Sequence, residues 1–264
     1  MYNFEYHKPA SLSEAASLLA SQEDAKLLAG GQTYIPTLKQ RLARPSAVID
    51  LSGIAELRGI KEEGGGLTIG AMTRHAEVET SDVVKRVIPA LAELAHMIGD
   101  PAVRNRGTLG GSISNNDPAA DYPGAVVGLN ATVRTNKREI KGDDFFLGMF
   151  ETALEPDEIV TAVHFPRPDT AKYEKFRHPA SRYAMAGVFV ARIGGQIRAA
   201  VTGAGPTVFR ATDMERALSQ NFSPAALDNI TVDPSGLNSD LHGSSEYRAH
   251  LVKVMAKRAV AALA

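Results

Sequence analysis

The chain of 264 residues contains no cysteine. It therefore cannot build a disulfide, a thiolate zinc site or an iron–sulfur cluster from its own side chains, and a disulfide-stapled secreted scaffold is excluded. The chain also has no excess of charge of one sign, because 29 Lys and Arg residues nearly balance 30 Asp and Glu residues and leave a formal net charge of -1. Such a balance exerts no general attraction on nucleic acid or anionic lipid.

Long apolar runs are also missing. None approaches the ~20 residues that span a bilayer, and the first residues lack the apolar segment of a signal peptide. We therefore expect a cytoplasmic protein, or one peripheral to the inner membrane face, with no integral membrane segment and no nucleic-acid partner. The 44% of hydrophobic residues is ordinary globular composition, which predicts two or three compact units.

The common nucleotide and catalytic signatures are absent. No Gly-Lys pair occurs, so there is no phosphate-binding loop of the G-x-x-x-x-G-K-[ST] type. After Gly203 and Gly205, the third glycine of a G-x-G-x-x-G motif is replaced by Val208. There is no H-E-x-x-H and no G-x-S-x-G motif, and we predict no catalytic residue and no metal ligand.

Two glycine loops carry the main signal. The first comprises Ala29, Gly30, Gly31, Gln32 and Thr33, between a predicted strand and a helix that Thr33 would cap. Glycines at such a place let backbone N–H groups approach an anion, and the start of a helix favours negative charge.

The second loop comprises Thr108, Leu109, Gly110, Gly111 and Ser112. Either loop alone is as well explained by a tight turn followed by a cap. Two such loops in one chain favour a dinucleotide that is held from both sides.

The remaining pattern predicts a mixture of helices and strands. The expected elements include a helix over 11–20, strands over 47–51, 57–61 and 67–70, a long polar loop over 99–117, a hairpin of 184–193 with 196–202, and helices near 211–219 and 245–263. Asp117 and Pro118 predict the cap and first residue of a further helix. Asp121 would then be either a solvated first-turn acid or an acceptor for a ribityl or ribose hydroxyl.

Several longer sequence segments resemble those of a known protein family. The segment 98–112, read with the first glycine loop, with Asp117-Pro118-Ala119-Ala120-Asp121 and with residues 243–248, resembles the FAD-binding medium subunit of molybdenum hydroxylases. The likeness is strongest to medium subunits of aerobic carbon monoxide dehydrogenases, and the flavin domain of xanthine dehydrogenases is similar. It extends over essentially the whole chain.

The resemblance implies an α+β fold. The expected architecture is the two-part FAD-binding domain of the vanillyl-alcohol-oxidase and xanthine-dehydrogenase type, followed by a small α/β C-terminal domain. The corresponding division of the chain is 1–55 and 56–170 for the two FAD-binding subdomains and 171–264 for the C-terminal domain.

The resemblance also implies a set of FAD-binding residues. The two glycine loops would bind the pyrophosphate and ribityl chain, and Asp121 would contact the cofactor. Ile98 and Val160 would lie beside the flavin ring, Lys175 would match a flavin-side lysine, and Tyr183 would cover one flavin face. The chain departs from the family pattern before Tyr183, where residues 178–182 replace a frequent Gly-Asp, and at Thr33, where serine is common.

The implied function is electron transfer. A large molybdenum subunit would oxidise the substrate, a small iron–sulfur subunit would pass electrons to FAD in this chain, and FAD would hand them to quinone, NAD or oxygen. The alternative is a self-sufficient FAD-dependent oxidoreductase acting on a small organic substrate. A third possibility, from another class, is a non-catalytic nucleotide-binding or assembly module.

Overall fold

The computed structural model describes residues 1–263 and divides their secondary structure among three sheets with their helices and one small hairpin. The N-terminal elements are β1 (Glu5–His7), α1 (Leu12–Ser21), β2 (Lys26–Leu28), α2 (Tyr34–Lys39) and β3 (Ala47–Asp50), followed by short 3₁₀ helices over Leu51–Gly53 and Ala55–Leu57. The three strands form a parallel sheet in the order β1-β3-β2. Ser11 caps α1, its side chain accepting from the Glu14 N–H.

A second, antiparallel sheet follows. Its elements are β4 (Ile60–Glu63), β5 (Gly66–Gly70), α3 (His75–Thr80), α4 (Asp82–Val87), α5 (Pro89–His96), α6 (Pro101–Arg104), α7 (Leu109–Asn115), α8 (Tyr122–Gly128), β6 (Thr132–Thr135), β7 (Glu139–Lys141), α9 (Gly142–Phe145), β8 (Phe146–Gly148), β9 (Glu151–Thr152) and β10 (Val160–Pro166). The sheet order is β4-β5-β10-β6-β7, while β8 and β9 pair separately.

The C-terminal part contains β11 (Thr170–Arg177), β12 (Ala184–Ile193), β13 (Gln196–Thr202), β14 (Phe209–Arg210), α10 (Thr212–Gln220) and α11 (Ser245–Ala261), with 3₁₀ helices over Pro224–Leu227 and Pro234–Gly236. Its four strands form an antiparallel sheet in chain order. The expected hairpin is β12 with β13, turning at Gly194 and Gly195.

The buried apolar residues form three hydrophobic clusters, which contain Ile49 of β3, Leu91 of α5 and Val252 of α11 respectively. The second cluster also includes Tyr173 and Phe189 of the C-terminal sheet. The mixed fold, an FAD-binding type of domain followed by a C-terminal domain, is confirmed, whereas the division at residues 55 and 170 stays a prediction. Within residues 1–263 no helix has both the length and the apolar character needed to cross a membrane.

Three local predictions were wrong. Thr33 directly precedes α2, but its side chain makes no capping hydrogen bond. The segment 99–117 is not one long loop, because Asp100 caps α6 and Thr108 caps α7 through their side chains. No helix begins at Pro118: the Asp117 carboxylate instead accepts from the Ala119 N–H in a turn, and α8 begins at Tyr122. The Pro118 carbonyl accepts from the Gly203 N–H of the C-terminal part, a tertiary contact that no local pattern reveals.

A strand boundary also differs from the prediction. Residues 55–57 form a 3₁₀ turn and the strand starts only at Ile60. The Leu57 carbonyl accepts from the Met72 N–H, which holds the chain in that turn.

Candidate functional site

A cavity of about 770 Å³ lies where the three parts of the chain meet. Its wall combines the segment after β2, the ends of β5 and β10, the α6–α7 region and the loop between β11 and β12. Cavities of a few hundred to ~1,000 Å³ hold small ligands and cofactors and commonly lie between domains. This volume and position make the cavity the candidate functional site.

Nearly all the predicted site residues line this one cavity. Thirteen of the fourteen do so: Ala29, Gly30, Gly31, Gln32, Thr33, Ile98, Thr108, Gly110, Gly111, Ser112, Asp121, Val160 and Tyr183. The fourteenth, Lys175, is not part of the wall, and its side chain is fully buried behind Asp121.

The two glycine loops pack directly against each other. A Cβ built on Gly30 would lie 2.1 Å from the Arg106 carbonyl oxygen, and one built on Gly111 would lie 3.3 Å from the Ala29 Cβ. Gly110 is equally confined, its built Cβ lying 2.5 Å from the Ala71 Cβ. The absence of side chains therefore lets the loops approach each other, in addition to any approach by a ligand.

The backbone donors of the two loops differ. In the second loop, the N–H groups from Leu109 to Ser112 all have protein acceptors, among them the carbonyls of Ala71 and Thr73 and the Thr108 hydroxyl. In the first loop, the N–H groups of residues 30–33 have no protein acceptor within the described chain. Gly31 has a φ of +74°, a left-handed conformation suited to glycine. The first loop thus offers a run of free N–H donors, which suits a phosphate.

Asp121 is the buried acid of the cavity wall. It is 4% exposed, and Lys175 Nζ donates to its Oδ1 at 3.0 Å and to its Oδ2 at 2.9 Å. The Tyr173 hydroxyl also donates to Oδ1. Burial raises the pKa of Asp121, and the Lys175 charge and the two hydrogen-bond partners oppose that rise.

Tyr183 lies on the cavity wall in the loop between β11 and β12. Its side chain is half-exposed, and burial together with the carboxylates of Asp117 and Asp121 raises its pKa. An aromatic ring at the mouth of a cavity, close to two carboxylates, can cover a flat ligand. Ile98 and Val160 supply apolar surface elsewhere on the same wall.

His75 is one of the wall residues that the sequence reasoning did not assign to the site, and it is the first residue of α3. It also lines the cavity, is 4% exposed, and its Nδ1 is buried without a partner. Burial first, and the charge of Arg104 second, lower the pKa of His75 to about 4, so the ring is neutral at physiological pH. No spacing motif marks it, since its neighbours in the wall come from distant segments.

The cavity fits FAD by the chemistry of its donors. Free backbone N–H groups suit a pyrophosphate, a buried carboxylate suits a hydroxyl or ring N–H, and apolar and aromatic side chains suit a planar ring. These groups lie on one continuous wall.

Known proteins resemble the chain over its full length. Residues 2–168 match the family described as the FAD binding domain in molybdopterin dehydrogenase, and residues 172–263 match the CO dehydrogenase flavoprotein C-terminal domain. The nicotine 6-hydroxylase medium subunit of Paenarthrobacter nicotinovorans is 37% identical, over 97% of this chain and 95% of that protein. The carbon monoxide dehydrogenase medium chain of Hydrogenophaga pseudoflava is 37% identical, over 97% of this chain and 96% of its own length.

Solved structures agree with the sequence comparison. A chain in the structure of carbon monoxide dehydrogenase from Hydrogenophaga pseudoflava, lacking the Mo-pyranopterin moiety of its cofactor, superimposes with a TM-score of 0.89. The two chains are 37% identical, and the match covers 99% of this chain and 97% of the other.

Proposed function

We propose a function for this chain from one premise: it belongs to the family of FAD-binding medium subunits of the molybdenum hydroxylases. FAD is its cofactor, and the chain is the flavoprotein subunit of an oxidoreductase complex. Its role is to receive electrons from the iron–sulfur clusters of a small partner subunit, which are supplied in turn by a large molybdenum subunit. The electrons leave to an external acceptor, which is quinone, NAD or oxygen.

One observation carries the proposal. Thirteen residues, expected from the glycine loops and from the family resemblance, line a single cavity whose donors suit FAD. Gly30, Gly31, Gln32 and Thr33 would hold the pyrophosphate through their free N–H groups. Ser112 would add a hydroxyl from the adjacent second glycine loop.

FAD, when bound, accepts electrons one at a time and stores two, which suits a junction between one-electron and two-electron carriers. The side chains of the cavity bind and orient the cofactor. Asp121 is already engaged by Lys175 and Tyr173. His75, with a pKa of about 4, is a weak base at neutral pH. These groups suit cofactor binding better than removal of a proton from a substrate.

An anaerobic reduction experiment tests the proposal. The purified FAD-loaded chain is mixed with carbon monoxide or nicotine, the substrates suggested by the names of two relatives, and the flavin absorbance is followed. We expect no bleaching with either substrate and full bleaching with dithionite. Adding the proposed small iron–sulfur and large molybdenum partner subunits should restore bleaching by the true substrate.

Two results would overturn the proposal. Rapid bleaching by an organic substrate with no partner present would make the chain a self-sufficient FAD-dependent oxidoreductase. A colourless protein that cannot be reconstituted with FAD would leave a nucleotide-binding or assembly module.

A further inference from the structure

A buried cluster behind the cavity wall joins the C-terminal sheet to Asp121. The Tyr173 hydroxyl and the Lys175 ammonium, both on β11, donate to the Asp121 carboxylate. Tyr173 and the Lys175 side chain are each 0% exposed, and neither lines the cavity. The side chains of Tyr173 and Lys175 on β11 therefore act on the cavity wall through Asp121.

The acceptor positions of Asp121 are unevenly filled. Oδ1 accepts from both Tyr173 and Lys175, whereas Oδ2 accepts from Lys175 alone. Each carboxylate oxygen offers about two lone-pair sites, so Oδ1 is saturated and Oδ2 keeps one site. Oδ2 is thus the atom left to accept from a group in the cavity.

Gly187 holds the Tyr173 hydroxyl in place from the neighbouring strand. Gly187 of β12 pairs with Lys175, and Phe189 pairs with Tyr173. A Cβ on Gly187 would lie 2.3 Å from the Tyr173 hydroxyl oxygen and 2.9 Å from its Cζ. The Tyr173 ring is also stacked on Phe189, with centroids 6.1 Å apart. The glycine therefore leaves space that the hydroxyl fills, and the packed ring cannot turn away from Asp121.

We propose that Tyr173 is a positioning residue of the cofactor site. Its hydroxyl, seated in the space left by Gly187, fixes the orientation and the charge of Asp121, so that Oδ2 faces the cofactor as an acceptor. The inference rests on the proposed function, because it takes FAD as the occupant of the cavity.

The Tyr173 hydrogen bond helps to keep Asp121 charged because the carboxylate is buried. A carboxylate out of water favours its neutral form, and donors to the charged form oppose this. Burial raises the pKa of Asp121, and the Tyr173 hydrogen bond lowers it. Removing the Tyr173 hydroxyl must therefore raise the pKa of Asp121 further, so that Asp121 takes up a proton at a higher pH than in the wild type.

FAD titration across pH tests the role of Tyr173. FAD-free wild-type protein and the Tyr173→Phe variant are titrated with FAD at several pH values between about 5 and 8. We expect the variant to bind FAD roughly tenfold more weakly, the usual scale for one hydrogen bond to a charged group. The loss should grow as the pH falls, and the midpoint of the pH dependence should lie higher than in the wild type.

Tyr122→Phe is the matched control. Tyr122 follows Asp121 directly and is also fully buried, but its hydroxyl has no hydrogen-bond partner within residues 1–263. Its removal should leave the FAD affinity and the pH midpoint unchanged.

The Gly187→Ala variant tests whether the space beside Gly187 positions the Tyr173 hydroxyl. The added methyl displaces the Tyr173 hydroxyl, so the single variant should weaken FAD binding as Tyr173→Phe does. In the Tyr173→Phe background, Gly187→Ala should reduce the FAD affinity much less than it does in the wild type, because the hydroxyl that the alanine would displace is already absent. Such non-additivity is the signature of a shared interaction.

The outcomes separate the inference from the function on which it rests. Wild-type protein that binds no FAD contradicts the proposed function. Wild-type protein that binds FAD while Tyr173→Phe has the same affinity and pH midpoint overturns the positioning role alone. Equal weakening by Tyr173→Phe at every pH also overturns it, since loss of packing has no pH dependence. If Gly187→Ala does not fold, the pH profile of Tyr173→Phe decides by itself.

Discussion

Gly30 leaves no room for a side chain against Arg106: a Cβ on Gly30 would lie 2.1 Å from the Arg106 carbonyl oxygen and 2.8 Å from the Gly107 Cα. These residues are 76 positions apart in the chain (106 minus 30), and Gly30 and Gly107 both line the candidate cavity. The contact is between backbones, which cannot rotate away as a flexible side chain could. The close approach of the two segments beside the cavity therefore depends on a glycine.

A methyl group at Gly30 should separate the two loops. We expect Gly30→Ala to lower the free energy of unfolding by about 1–3 kcal/mol, the usual cost of overpacking, and to weaken FAD binding. Urea denaturation and FAD titration measure the two effects. Gly236→Ala is the control, because a Cβ there has no neighbour within 4 Å. If the two variants were equally stable, the loops would not be in close contact.

His75 should make stability depend on pH. Its pKa is lowered from 6.5 to about 4 by burial and by Arg104. Between these values the unfolded chain binds more protons than the folded one, so the free energy of unfolding falls as the pH falls. Over the whole interval the loss from this residue is about 3 kcal/mol. This contribution is fully present above pH 6.5.

Denaturation at several pH values checks the contribution of His75. The His75→Gln variant, which has no titrating ring, should show a flatter decline in stability from pH 6.5 to 4 than the wild type. His250→Gln, at an exposed position on α11, should keep the wild-type slope. An unchanged slope in His75→Gln would mean that the ring is accessible to water in the folded protein.

FAD should be bound noncovalently. The chain has no cysteine, and neither glycine loop contains a histidine, although His75 lines the cavity wall. Acid precipitation should therefore release all the yellow colour to the supernatant. Colour that stays in the pellet would contradict noncovalent binding. If that pellet colour were absent in the His75→Gln variant, His75 would be the attachment point.

Tyr183 should influence the reactivity of the flavin more than its binding. Tyr183→Ala should keep FAD bound, because the free N–H donors lie in the first glycine loop, but should shift the flavin absorption spectrum and the rate of reoxidation by the acceptor. Tyr247→Ala is the control: it is 42% exposed, against 53% for Tyr183, and lies outside the cavity wall. Identical spectra and rates for Tyr183→Ala and wild type would place the tyrosine outside the flavin environment.

Local signals predicted local features well. The hairpin turns at Gly194 and Gly195, and α11 begins at Ser245, where the predicted helix begins. Each feature depends on neighbours within a few positions, for which residue type is informative. The Asp117-Pro118 signal failed because its expected partner was local. The Pro118 carbonyl is held by Gly203, 85 positions later (203 minus 118), and that bond competes with a helix start.

Some residues of the candidate site could be predicted from the sequence, and others were revealed only by the fold. The glycine loops could be found in the sequence because their residues are contiguous, and the family resemblance added Asp121, Val160 and Tyr183. His75 could not be found, since only the fold brings it to the wall beside Gly107. The ammonium of Lys175 lies behind Asp121, and its contact with the flavin stays a prediction.

The sequence by itself determined that this chain cannot hold an iron–sulfur cluster, because it has no thiol. It also determined the hairpin turn at Gly194 and Gly195 and the start of a helix at Ser245, because turn formation and capping act over a few residues. Only the tertiary structure decided that Gly30 abuts Arg106, that Gly187 makes room for the Tyr173 hydroxyl, and that Asp121 is buried between Lys175 and the cavity. Those relationships depend on packing between segments distant in the chain, where sub-ångström differences in approach determine whether a side chain fits and whether a charge is solvated.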